Sequence, residues 1–367
     1  MADRRDRLRI GLSCGKSKRN KGECAYMNGY ERMDAALHLQ KVDRVPVFPI
    51  HHYSSTRVTG VKIGKYATDP EVMADCLIRA ADYMGYDAVL AGSDVAIEGE
   101  ACGGICEQPE DAPAHIIKPV IQELEDLDRL RVPDPLTAGR MPVVVRATEL
   151  VKRALGDKLC VAATVMGPMN VAGQLRGVED LMFDIMDEPE FFERLLDFSL
   201  EVSLTYAKKL IDAGADQIQA GEALCSPNFI NPKAYREFIL PRQKIWAKEL
   251  NSYGCCRSTL IHVCGDIRPI LADLGTTGAT CLDVDYAVGM KEAREVSGVA
   301  VRGNINPSSV IMQGTPEQVE LAAKAVLDET HGMTGIILGT GCDVPPVAPN
   351  ENVRMLTVAA ERYGRYL

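Results

Sequence analysis

The chain of 367 residues carries 41 Lys and Arg against 51 Asp and Glu, a formal net charge of −10, with 46% hydrophobic and 25% charged residues. This ordinary globular usage excludes a disordered or fibrous chain, and the acidic balance disfavours a sequence-independent nucleic-acid binder, which needs surplus cations along one face. No apolar run approaches the roughly 20 residues of a membrane-spanning helix, and the basic, polar stretch 1–27 lacks the apolar centre of a secretory signal; a soluble, cytoplasmic protein without nucleic-acid or membrane partners is expected.

After that N-terminal extension, a single domain is expected over residues 28–367. Strand-like segments occur at 44–50, 86–91, 159–167, 216–221, 259–265, 281–286, 299–305 and 335–341. Several are nearly continuous apolar runs, the pattern of parallel strands covered by helices. Helical patterns occupy 69–84, 188–213, 232–251, 290–296, 315–330 and 350–363. In the second of these, Phe191, Leu195, Leu196, Leu200 and Tyr206 recur near one face. Thr315-Pro316-Glu317-Gln318 reads as a helix N-cap followed by proline at the first helical position. Strands alternating with helices in this way predict an α/β fold, a (β/α)8 TIM barrel. A doubly wound open sheet has the same periodicity. The stretch 101–140, rich in proline and acidic residues, is too long for a turn and is expected as an insertion over the barrel mouth.

The twelve cysteines lack the regular spacing of a disulfide scaffold, so free thiols or metal ligands are expected. The sharpest local feature is Leu260-Ile261-His262-Val263-Cys264-Gly265-Asp266. Residues two apart in a strand point to one face, so His262 and Cys264 project together near the strand's C-terminal end, where barrel enzymes hold their active sites. Cys342 follows the last strand-like segment and belongs on the same rim. Imidazole nitrogen and thiolate sulfur are favoured zinc ligands, and three protein ligands leave a fourth position open, the arrangement of catalytic sites. Two thiolates and a neutral imidazole cancel the charge of Zn2+, leaving a mild Lewis acid suited to a thiolate or an ether oxygen.

His262-Val263-Cys264-Gly265, followed 78 positions after Cys264 by Cys342, resembles the zinc signature of corrinoid-dependent methyltransferases in the uroporphyrinogen decarboxylase superfamily. These include methylcobalamin:coenzyme M methyltransferases. Asp43-Arg44-Val45-Pro46-Val47, Gly92-Ser93-Asp94-Val95, Asp212-Ala213-Gly214-Ala215-Asp216, Gly303-Asn304-Ile305-Asn306-Pro307 and Pro349-Asn350-Glu351-Asn352-Val353 add to the likeness, which covers about residues 28–365. The resemblance implies a barrel fold and a zinc ion held by His262, Cys264 and Cys342. It further implies methyl transfer between a corrinoid (cobalamin) and a heteroatom, either a thiol such as coenzyme M or a methoxylated aromatic. No corrinoid-binding Asp-x-His-x-x-Gly motif is present, so the cobalamin is expected on a small partner protein. The runner-up, uroporphyrinogen decarboxylation, calls for an Arg-rich segment after the first strand; residues 48–57 contain Arg57 alone. The loop at 339–341 also has Thr340 where decarboxylases usually carry His. A non-catalytic zinc-binding, corrinoid-docking barrel is the other alternative.

Further candidates follow from position. Asp94 ends a strand-like segment and aligns with an acidic residue of the decarboxylases, which makes it a catalytic or pocket candidate. Glu222, at the end of 216–221, is a second one and a candidate fourth zinc ligand. Asp266 is a candidate to orient His262, and Asn304 and Asn306 to line the mouth where the cofactor arrives. Of the neighbours His51 and His52, only one can face the pocket, together with Tyr53. Trp246 is expected to pack a helix on the barrel. Cys102 and Cys106 form a lone C-x3-C pair.

Overall fold

Nine strands form among the residues described in this computed structural model, 26–254 and 256–365. In chain order they are β1 (Ala88–Ala91), β2 (Ile105–Glu107), β3 (His115–Lys118), β4 (Cys160–Met166), β5 (Gln217–Gly221), β6 (Ser258–His262), β7 (Cys281–Val284), β8 (Ala300–Ile305) and β9 (Ile336–Thr340). Seven of them make one parallel sheet in the order β1-β4-β5-β6-β7-β8-β9, so each strand pairs with the next around a curled wall. The extension expected over 1–27 lies, apart from Tyr26 and Met27, outside the described residues, as do Cys14, Cys24 and Cys255.

The expected first strand, 44–50, is not a regular strand. Pro46 and Pro49 have no amide hydrogen to donate, and a ladder with two missing donors cannot run. The segment still fills the gap between β9 and β1. On one side Val47 bridges Leu338 in parallel, with Leu338 N donating to Pro46 O and Phe48 N to Leu338 O, both at 2.8 Å. On the other, Asp87 N donates to Val47 O at 3.0 Å, and the Asp87 carboxylate accepts from Val47 N at 2.7 Å. Seven strands and one proline-broken segment therefore close the barrel.

Strand alternation divides the apolar residues into two cores. Phe48, Ile50, Leu90, Cys160, Ala162, Leu260, Cys281, Ala300 and Ile337 fill the barrel interior and meet Met33, Ala36 and Leu37 of the helix Gly29–Leu37, at its N-terminal end. The alternate positions, such as Val89, Val161, Ile218, Ala220, Ile261 and Leu338, pack against the surrounding helices. Towards the C-terminal ends the interior turns polar: Gln219, His262, Asp283 and Arg302 occupy inward positions and are buried.

The helices follow their sequence signals closely. Thr315 caps Pro316–Glu329 with a capping box, and Asp69 caps Pro70–Met84. Pro189–Asp212 buries Phe191, Leu195, Leu196, Leu200 and Tyr206 as expected, and buried Trp246 packs on it with Nε1 donating to Ser203 Oγ at 3.0 Å. The expected helix at 232–251 is broken by a wide turn, Tyr235–Ile239, before Leu240–Asn251. Pro241 has no amide hydrogen for the carbonyl one turn back, and such gaps open into wider turns. The stretch 101–140 forms the antiparallel hairpin β2–β3 and the short turn Leu124–Arg129, and its Pro113 lines the cleft at the barrel mouth.

Candidate metal centre

His262 is the last residue of β6, and Gly265, at φ +83°, turns the chain immediately after Cys264. The turn is pinned by Gly265 N donating to Asp285 Oδ2 at 2.7 Å. Cys342 follows β9 by two residues. Before it, Gly341 passes so close to the β7 loop that a Cβ there would lie 2.8 Å from Asp285 Oδ1. Although β6 and β9 are separated in the sheet by β7 and β8, closure of the barrel brings the three side chains together.

Their ligand atoms make a tight triangle. His262 Nε2 lies 3.2 Å from Cys264 Sγ and 3.7 Å from Cys342 Sγ, and the two sulfurs are 3.7 Å apart. Tetrahedral zinc with bonds of about 2.3 Å to sulfur and about 2.0 Å to nitrogen spans S···S edges of about 3.8 Å and N···S edges of about 3.5 Å. The donor set and its spacing therefore fit that ion. Burial disfavours a charged His262, but Asp283 and Cys342 outweigh it and raise the imidazole to about 10. Cys264 and burial hold the Cys342 thiol well above its usual range. Both protons are ones a divalent cation displaces.

The remaining ring nitrogen of His262 faces Asp283, whose Oδ2 lies 3.2 Å from Nδ1. Asp283 is gripped by Arg302 through Nε and Nη2, and Nη2 also donates to Gln219 Oε1 at 2.7 Å. The Arg302 guanidinium stacks over Phe48, 4.2 Å from the ring centre. These buried residues fix the imidazole from beneath. Asp266, expected in that role, is instead exposed and bonded to Arg268, because it lies beyond the Gly265 turn and off the inward face.

The triad stands at one wall of a cleft of about 220 Å³. Asp94 lines it too, with its carboxylate taken by Arg140 Nη1 at 2.5 Å and Nη2 at 3.0 Å. His52 lines the cleft and pairs with Asp343 at 2.9 Å, while His51 turns away to Tyr86 at 2.9 Å; burial pushes His51 down to about 3. Burial opposes ionisation of Asp343, but His52 and its other neighbours hold it below the usual carboxylate range.

Glu222, a candidate fourth ligand, is not brought to the triad, and Asn304 and Asn306, candidates for the mouth, do not line the cleft. Glu222 shares the outward parity of Ala220, so its carboxylate enters the helix layer and takes Gln243 Nε2 at 3.2 Å and Asn170 N at 3.3 Å. Burial pushes it up to about 7. It does not join the three atoms clustered within 4.8 Å of one another. Asn304 Nδ2 donates to Val288 O at 2.7 Å, and the Asn306 side chain caps the turn Pro307–Met312 by accepting from Ser308 N and Ser309 N. Neither lines the cleft. Cys102 and Cys106 are free thiols, and Arg140 Nη2 lies 3.8 Å from Cys106 Sγ. Sequence reasoning missed Asp283, Arg302 and Arg140. The available signal was a charged residue inside an otherwise apolar strand, as in Cys281-Leu282-Asp283-Val284.

A family model described as uroporphyrinogen decarboxylase (URO-D) matches residues 28–363. The chain is 29% identical over 344 residues to a protein of Methanosarcina barkeri named methylcobamide:CoM methyltransferase, covering 90% of this chain and 97% of that one. It is 25% identical over 313 residues to the uroporphyrinogen decarboxylase of Syntrophotalea carbinolica, covering 82% and 87%. Among solved structures, a methyltransferase from Methanosarcina mazei superposes with a TM-score of 0.85 at 27% identity, covering 92% of this chain and 99% of that one.

Proposed function

Taking as premise that the chain belongs to the uroporphyrinogen decarboxylase family, we propose that it is a zinc-dependent methyltransferase acting between a corrinoid and a thiol, the corrinoid being carried by a small partner protein. The observation that carries this reading is the triangle of His262, Cys264 and Cys342, whose edges match a tetrahedral ion with one position turned to the cleft. Zinc held there would supply a Lewis acid that favours the thiolate form of a thiol. Similarity to the methylcobamide:CoM methyltransferase over nine-tenths of the chain supports the same chemistry.

The protein's own residues orient and enclose. Asp283 and Arg302 hold the His262 ring so that Nε2 faces the cleft, and a donor set of two thiolates and a neutral imidazole would cancel the charge of Zn2+, leaving an incoming thiolate its nucleophilicity. The cleft walls limit the directions from which a methyl group can reach the sulfur, which lowers the entropic part of the barrier. In such a transfer the sulfur–methyl bond would form as the methyl group leaves its corrinoid donor, which would keep the bonding electron pair, and the thiol proton would leave to solvent.

Decarboxylation of a porphyrinogen is disfavoured because no lysine or arginine stands among the described residues lining the cleft, and a polycarboxylate needs such partners. The test is to mix the purified protein with methylcobalamin and a panel of thiols, following both corrinoid absorbance and methyl thioether by mass spectrometry. Thioether formation is the expected result. Its absence with every thiol, or decarboxylation of uroporphyrinogen by chelator-treated protein, sinks the reading.

A further inference from the structure

The charges around the cleft are already spent on one another. Asp94 receives both terminal nitrogens of Arg140 and the Ser93 hydroxyl at 2.9 Å. Arg140 in turn gives Nε to Glu100 at 2.7 Å. Asp343 receives His52 and, at 3.4 Å, the Tyr53 hydroxyl. Arg57 and Lys62 line a different pocket, beside Pro346 and Val347, where Lys62 is paired with Asp111 at 2.6 Å. Much of the remaining cleft wall is apolar: Ile50, Val95, Pro113, Met166 and the ring of Tyr53.

Resting on the thiol reading above, we infer that the acceptor is an uncharged thiol with an apolar body, not one bearing a sulfonate or carboxylate arm. An anionic arm here would meet two carboxylates and, among the described residues lining the cleft, no lysine or arginine, so it would lose its hydration without gaining a partner. A cationic arm gains little, because both carboxylates already have cationic or hydroxyl partners. An apolar body is favoured by burial against the wall. The cleft volume of about 220 Å³ exceeds the ~150 Å³ that accommodates benzene, so one aromatic ring with a short thiol arm is of the right size. The bond changes are those of the general transfer: the thiol loses its proton to solvent, gains methyl, and leaves the corrinoid donor with the electron pair.

The experiment compares phenylmethanethiol, 2-mercaptoethanol and coenzyme M (2-mercaptoethanesulfonate), which have similar thiol acidity. Binding to the cobalt(II)-substituted protein is read from the sulfur-to-metal absorption in the near ultraviolet, and turnover is read with methylcobalamin as donor. Phenylmethanethiol should bind at least about tenfold more tightly than coenzyme M and lead in kcat/KM. Val95, 55% exposed on the wall, tolerates a charge, and Val95→Arg should raise coenzyme M affinity several-fold. Equal or preferential binding and methylation of coenzyme M overturns the inference alone, as does a Val95→Arg protein with no gain for the sulfonate. Methylation of none of the three thiols overturns the methyltransferase reading, and this inference with it.

Discussion

Asp283 Oδ2 lies 3.2 Å from His262 Nδ1, while Nε2 of the same ring faces the two cysteine sulfurs. One imidazole is thus held between a buried carboxylate and the proposed metal position, and the carboxylate favours one tautomer and raises the ring's basicity. Asp283→Asn should weaken zinc binding by about 10- to 100-fold with the fold intact. Competition with a chromogenic chelator, alongside circular dichroism, measures both. Unchanged affinity in a folded variant would show that Asp283 does not support the ligand.

The proposed ligand triad makes a direct claim on composition. The purified protein should hold about one zinc per chain, and Cys264→Ala and Cys342→Ala should each lose most of it, since two protein ligands hold a tetrahedral ion poorly. Elemental analysis after dialysis decides. Full stoichiometry in both variants contradicts the assignment.

Arg302 is fully buried and neutralises Asp283. Arg302→Met would leave that carboxylate as an uncompensated charge in the barrel, at a cost of about 3–5 kcal/mol. The double variant Arg302→Met with Asp283→Asn removes the charge as well and should be the more stable of the two. Urea denaturation gives the ranking, and the reverse order would mean that the pair is not electrostatically coupled.

Glu98 is buried, accepts from Met166 N at 2.7 Å, and burial pushes it from 4.5 up to about 7. Between those values the folded chain keeps a proton that the unfolded chain has lost, so stability falls as pH rises through this window and stays lower above it. The shift corresponds to about 3 kcal/mol. Glu98→Gln cannot titrate and retains an acceptor for Met166 N. Relative to the parent it should gain stability between pH 4.5 and 7, read from urea midpoints at pH 5 and pH 8. A difference independent of pH would place the titration elsewhere.

Much of this protein was legible along the chain because the information is local. Strand alternation is a property of neighbouring residues, so His262-Val263-Cys264 announces two candidate ligands on one face, and apolar runs mark the strands of the barrel wall. The scarcity of arginine in 48–57 is likewise visible without a structure, and agrees with a cleft whose described lining has no lysine or arginine. Local signals failed where a backbone donor was missing: Pro46 and Pro49 turn the expected first strand into an irregular closing segment, and Pro241 breaks a helix that periodicity runs straight through.

What only the tertiary structure decided is which groups meet. Asp266 is four residues from His262 and Asp283 is twenty-one, yet parallel pairing of β6 with β7 sets His262 opposite Asp283, while the Gly265 turn carries Asp266 to solvent. Glu222 follows β5, the neighbour of β6 in the sheet, but its outward parity sends the carboxylate into the helices to Gln243 and Asn170, and it is not among the clustered ligand atoms. Cys342 reaches His262 only because the sheet closes on itself. Register and closure depend on the whole ring of strands packing at once, and no window of sequence shorter than the barrel contains that condition.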